Sequence, residues 1–167
     1  VWRTVGRDME NIVLIGMPGA GKTTVGRLLA QKLGREFVDC DEVLVERAGM
    51  PIPDYFAKYG EAGFRQLETA LLAELGQKSR LVLATGGGCV TRPENRDLLR
   101  QNGTVVWVQR PLADLPIAGR PVSQAKGVEA IYREREPLYR QFSDFAADNT
   151  TPEAAAEAIY KTLFAHL

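Results

Sequence analysis

The chain has 167 residues, about one domain against a soft prior of roughly 150 residues per domain, and enough to bury a sizeable core without disulfides or metals. Lys plus Arg and Asp plus Glu each number 21, so the formal net charge is zero and no basic excess draws the chain to nucleic acid or an anionic membrane. With 45% apolar residues, two distant cysteines (Cys40 and Cys89), one histidine (His166) and no membrane-length apolar run, the composition argues for a cytoplasmic globular protein and against a zinc site, a disulfide framework or a histidine triad.

Residues 1–10 precede the first hydrophobic segment and read as a leader, a tag remnant or a linker from a preceding domain of a longer chain, with Met9 an equally good start. Residues 11–167 read as one domain. Ile12 to Ile15 is a continuous apolar run closed by Gly16, as expected of a strand buried on both faces of a parallel sheet. Val25, Leu28, Leu29 and Leu33 recur at helical spacing, and Gly34 is a C-cap signal. Glu36 to Asp39 is a second short strand. Phe64, Leu67, Leu71 and Leu75 mark one face of a helix ending near Gly76. Leu81 to Ala84 and Val105 to Val108 are further buried strands, the first stopped by Gly86-Gly87-Gly88, the second preceded by the turn signal Asn102-Gly103. Arg110 to Ala125, rich in proline and glycine, is expected to be a mobile loop. A helix over about 127–142, a weak strand at Phe145 to Ala147 and a last helix over 152–167 complete an α/β pattern of a mostly parallel sheet with helices on both faces.

Gly16-Met17-Pro18-Gly19-Ala20-Gly21-Lys22-Thr23 matches the phosphate-loop pattern in full and lies between a predicted strand and a predicted helix. Its glycines let backbone N–H groups converge on phosphates at a helix N-terminus, Lys22 supplies a point charge, and the Thr23 hydroxyl can ligate Mg²⁺. Asp39 and Asp41 stand at i and i+2 at the end of the second strand, a spacing that in extended chain sends both side chains to one side; the competing reading is a helix cap before Glu42. Arg65 and Glu68 alone would be an ordinary surface ion pair. Three successive glycines, Gly86, Gly87 and Gly88, cost backbone entropy unless the main chain approaches something closely. Arg120 lies in the Pro/Gly-rich loop and Arg135 in an alternating-charge run, which is usually a solvated helix face but can also place a fork against a carboxylate. Cys40 reads as a small buried filler.

Taken together, the phosphate loop, Asp39-x-Asp41, Phe64-Arg65-x-x-Glu68, the glycine triplet, Gly119-Arg120-Pro121 and Arg135-Glu136-Pro137-Leu138-Tyr139 occur in the order that resembles the shikimate kinase family. The resemblance implies a nucleoside-monophosphate-kinase-like P-loop fold, with a five-stranded parallel sheet of order 2-3-1-4-5 and a lid. It also implies transfer of the ATP γ-phosphoryl to the 3-hydroxyl of shikimate in the chorismate (aromatic amino acid) pathway. It assigns ATP to Gly19, Ala20, Gly21, Lys22, Thr23, Thr24, Arg120 and Pro152, and Mg²⁺ to Thr23 with Asp39. Shikimate falls to Asp41 (the candidate base), Arg65, Gly86, Gly87, Gly88 and Arg135, and the catalytic set is Lys22, Asp41 and Arg120. It further implies that Asp148 to Pro152 borders the adenine, and a monomer is the family-level expectation.

The chain departs from the family between the fourth strand and the lid. Twelve residues separate Trp107 from Arg120, about six fewer than expected, and Pro111, Pro116 and Gly119 disfavour the helix that carries the family's adenine-stacking arginine. Arg110 is the nearby arginine, out of register for that role. Three rivals remain: a gluconate kinase, a nucleoside monophosphate kinase and a nucleotide-dependent binding module that switches a partner surface. Two arginines suited to a carboxylate favour shikimate over a nucleotide acceptor.

Overall fold

The computed structural model describes residues 9–115 and 122–164, the side chains of 122–126 excepted. Residues 1–8 of the expected leader, the lid residues 116–121 with Arg120, and 165–167 of the expected last helix lie outside the described residues.

Five strands, β1 (Asn11–Ile15), β2 (Glu36–Asp39), β3 (Leu81–Ala84), β4 (Gly103–Gln109) and β5 (Phe145–Asp148), form one parallel sheet of order β2-β3-β1-β4-β5, as expected. Strand alternation distributes their apolar side chains to two cores. Val13, Ile15, Leu81, Leu83, Val105 and Trp107 join one cluster, while Ile12, Leu14, Val82, Val106 and Val108 join the other. The three inner strands are therefore apolar at successive positions. Each fully buried Val, Leu or Ile contributes about 1.5–3 kcal/mol as an upper bound.

The first core is covered by α2 (Cys40–Ala48), α3 (Ile52–Gly76), α4 (Glu94–Arg100) and α5 (Val122–Phe142), and the second by α1 (Lys22–Leu33) and α6 (Pro152–Phe164). Several boundaries differ from the sequence reading. The helix after β2 begins at Cys40, not near Glu42, because the Asp39 carboxylate caps it, accepting from the backbone N–H of Asp41 at 3.0 Å and of Glu42 at 3.4 Å. The expected loop over 110–125 contains a 3-10 turn at Leu112–Asp114 and the first residues of α5, which starts five positions earlier than expected. α3 is two helices merged across Gly60, whose φ of 75° and ψ of 173° break the helical path. α4, not anticipated, is fastened by Asn95, which donates to the Cys89 carbonyl at 2.8 Å and accepts from Thr69 at 2.8 Å.

β1 and β3 are neighbours in the sheet but the connections that follow them run on opposite faces, through α1 and α4, so the carboxyl ends of β1, β2 and β3 open onto one crevice. In open parallel sheets that switch point is where ligands bind.

Candidate active site

The loop from Gly16 to Gly21 joins β1 to α1 at this crevice. Gly21 caps α1 with φ 92° and no side-chain hydrogen bond, and the first helical turn holds no acidic residue, so its backbone N–H groups and positive dipole end face the cleft uncompensated. A cavity of about 310 Å³ results, lined by Gly19, Gly21, Lys22, Thr23, Thr24, Asp39, Asp41, Thr85 and Gly87 among others. Lys22 is buried, and its ammonium donates to the carbonyls of Gly16 and, at 3.4 Å, Met17. Burial pushes its pKa down to about 8, with Asp41 and Asp39 opposing the shift and Arg135 reinforcing it.

Asp39 serves both readings that the sequence left open. Oδ1 caps α2, while Oδ2 accepts from the Thr23 hydroxyl at 3.0 Å. Asp41 is not on an extended stretch, as its spacing from Asp39 implied. It lies in the first turn of α2, and helix geometry rather than strand alternation brings both carboxylates to the cavity. Burial raises the Asp41 pKa, with Lys22 and Arg65 opposing and Asp39 reinforcing.

Arg65 and Glu68 are not a surface pair. Both are buried on α3 and bond Nη1 to Oε1 at 2.9 Å, and burial raises the Glu68 pKa against the pull of Arg65. Arg65 Nε stands 3.6 Å from Glu61 Oε1 and is buried without a hydrogen bond among the described residues. Arg135, half-buried on α5, lies within electrostatic reach of Lys22, Glu68 and Tyr139. Tyr139 ties α5 to the crevice by donating to the Gly87 carbonyl at 2.6 Å while its ring stacks on Trp107, 5.9 Å between centroids.

The glycine triplet is explained by the protein's own side chains. A Cβ at Gly86 would lie 2.7 Å from Asp41 Oδ1, one at Gly87 2.6 Å from Pro18 Cδ, and one at Gly88 on the Arg65 guanidinium. Gly86 and Gly88 are buried, so the close approach inferred from sequence is to the candidate catalytic carboxylate and arginine, and only Gly87 lines the cavity. A second cavity of about 440 Å³ lies between the ends of β4 and β5, lined by Ala20, Trp107, Arg110, Tyr132, Asp148, Asn149 and Thr150 among others. Asp148, Asn149 and Thr150 border it, with Pro152 opening α6 just beyond. Arg110 reaches this cavity despite its register, its Nη1 donating to the Gly19 carbonyl at 3.1 Å.

A family model for shikimate kinase matches residues 18–164. The chain belongs to the shikimate kinase family. A shikimate kinase of Burkholderia lata is 46% identical over 151 residues, 85% of this chain and 82% of the relative, and one of Methylococcus capsulatus is 41% identical over 172 residues, 96% and 94% of the two chains. Among solved structures, a shikimate kinase from Acinetobacter baumannii in complex with shikimate superposes with a TM-score of 0.86 at 35% identity, covering 98% of this chain and 97% of that one. A shikimate kinase from Bacteroides thetaiotaomicron does so with a TM-score of 0.83 at 28% identity, covering 93% and 98%. Shikimate kinase membership accounts for the whole described fold, including the strand order. No helix among the described residues is long and apolar enough to cross a membrane. Glu68, Tyr139 and Asn149 were not among the site residues read from sequence. Glu68 and Tyr139 sit in the quoted motifs, and Asn149 in the segment from Asp148 to Pro152 that the resemblance places beside the adenine.

Proposed function

We propose that this chain transfers the γ-phosphoryl of ATP to the 3-hydroxyl of shikimate, giving shikimate 3-phosphate and ADP. The observation that carries the reading is the placement of a carboxylate, Asp41, in the cleft beside an uncapped phosphate-loop helix N-terminus and within electrostatic reach of the buried Arg65. A phosphate cleft alone serves many acceptors. The arginine pair, Arg65 with Arg135, supplies the carboxylate recognition that a nucleotide base would leave unused; gluconate, itself a carboxylate, is separated by the assay below.

The roles follow from chemistry. Backbone N–H groups of the loop and of Thr23 and Thr24 hold the phosphates, and Lys22 trades its loop carbonyls for phosphate oxygens, which restores the charge that burial disfavours. Thr23 and Asp39 present hard oxygen donors in hydrogen-bond contact beside the phosphate loop, a donor set that fits Mg²⁺ shared with phosphate oxygens and water. Mg²⁺ there would neutralise phosphate charge. Asp41 accepts the proton of the attacking hydroxyl, Arg65 and Arg135 fix the carboxylate, and the Gly87 backbone packs along the ring. Arg120, from the lid, would meet the transferring group. Little covalent chemistry is asked of the protein, so positioning and charge cancellation carry the rate.

ADP release with Mg²⁺-ATP, measured with shikimate, gluconate, nucleoside monophosphates or no acceptor, tests the reading. Turnover should require shikimate. Equal release in every tube would instead make the chain an ATPase switch.

A further inference from the structure

We propose that Asn149 is the positioning residue of the phosphate loop. Delivered from the end of β5, its side-chain amide donates to the Ala20 carbonyl at 2.7 Å, and Asn149 is itself 9% exposed. Its own backbone N–H donates to the Gln109 carbonyl at 2.8 Å, which anchors it to the end of β4. A trans peptide points its C=O and N–H in opposite directions. Holding the Ala20 carbonyl toward Asn149 therefore turns the Gly21 N–H away from it, toward the cavity that Gly21 lines.

Position 21 is built for this approach. Gly21 has φ 92°, and a Cβ there would fall on the Asn149 amide. Lys22 secures the other end of the loop through Gly16 and Met17, but those bonds compete with bound phosphate. The Asn149 bond does not, so it is the hold that persists while Lys22 is engaged. Arg110 grips the neighbouring Gly19 carbonyl from a half-exposed position and is the weaker restraint.

This inference rests on the reading of Gly16 to Thr23 as a phosphate site, and the test separates the two. Binding of tripolyphosphate, ATP and adenosine is measured by calorimetry on the wild type, Asn149→Ala and the near-isosteric Asn149→Asp, with thermal melts to establish folding. In Asn149→Ala, affinity for tripolyphosphate and ATP should fall about tenfold, the loss of one buried hydrogen bond. In Asn149→Asp, where a carboxylate oxygen faces a carbonyl oxygen, it should fall further. Adenosine affinity should fall by less than tripolyphosphate affinity does, since Asn149 also lines the second cavity, and the shikimate KM should stay within about twofold of wild type. Unchanged tripolyphosphate binding in both folded variants would overturn the proposal, and so would an equal loss for adenosine, which would place Asn149 at the base rather than the loop. A wild type that ignores tripolyphosphate would overturn the phosphate-site reading and this one with it.

Discussion

Asp41 and Lys22 sit in the same cavity with pKa values moved toward each other, and each sets one limit of activity. Burial raises the Asp41 pKa, and the residue must be ionised to accept a proton. The acid limb of kcat/KM should therefore lie above the ordinary aspartate value of about 3.9. Asp41→Asn should remove that limb and lower kcat about 10²–10⁴-fold, and a near-normal kcat would rule out its role as base. Lys22, pushed down to about 8, must be charged to meet phosphate, so kcat/KM for ATP should fall as pH rises through about 8. Phosphate bound beside it should move the corresponding limb of kcat upward. Stability runs in the other sense. The unfolded chain, with a lysine pKa of about 10.4, binds this proton more tightly than the folded one, so the penalty is full below about pH 8 and is relieved as pH rises toward 10.4. Lys22→Met should consequently abolish turnover while raising the Tm at neutral pH, as thermal melts would show; a lowered Tm would mean that the Gly16 and Met17 bonds outweigh desolvation.

At the scale of elements, α3 and the turn after β3 form one unit, Gly88 packing directly on the Arg65 guanidinium. Removing Glu68 leaves Arg65 charged, buried and poorly paired, a loss of about 3–5 kcal/mol, so Glu68→Ala should lower the Tm and raise the shikimate KM together. Gly88→Ala puts a methyl group on the Arg65 guanidinium, and should raise the shikimate KM with the ATP KM unchanged; matched changes in both would indicate general disruption of the crevice. The sequence made some of this legible and hid the rest for physical reasons. The phosphate loop is read at once because all its chemistry is contiguous. β1, β3 and β4 are legible because burial on both faces demands unbroken apolar runs. α4 has seven residues, too few to establish a period, and α2 is masked because its first turn contains the aspartates that resemble a strand end. The burial of Arg65 and Glu68 depends on how α3 meets the glycine triplet, and Asn149, although in the segment that the resemblance places beside the adenine, meets Ala20 129 residues away, so no local pattern announces either contact.

Over the whole molecule, stability and chemistry are separable because the two cores lie behind the strands and the site lies at their ends. Leu83, fully buried in the first core, tests this separation: Leu83→Ala should cost about 2–5 kcal/mol and lower the Tm, with kcat at 25 °C largely kept. A selective loss of kcat without loss of stability would show that core packing positions the site more tightly than the strand-end geometry implies. The acceptor is the point most worth testing, since the fold and the phosphate cleft would serve several kinases, and the proposed roles of Asp41, Arg65 and Arg135 favour a hydroxylated carboxylate over a nucleotide without separating shikimate from gluconate. Phosphorus and proton NMR of a reaction mixture of wild type, Mg²⁺-ATP and shikimate tests it most directly. One new phosphomonoester should form in step with ADP, coupled to the proton on carbon 3 of shikimate. Inorganic phosphate with unmodified shikimate, or a phosphate on another hydroxyl, would contradict it.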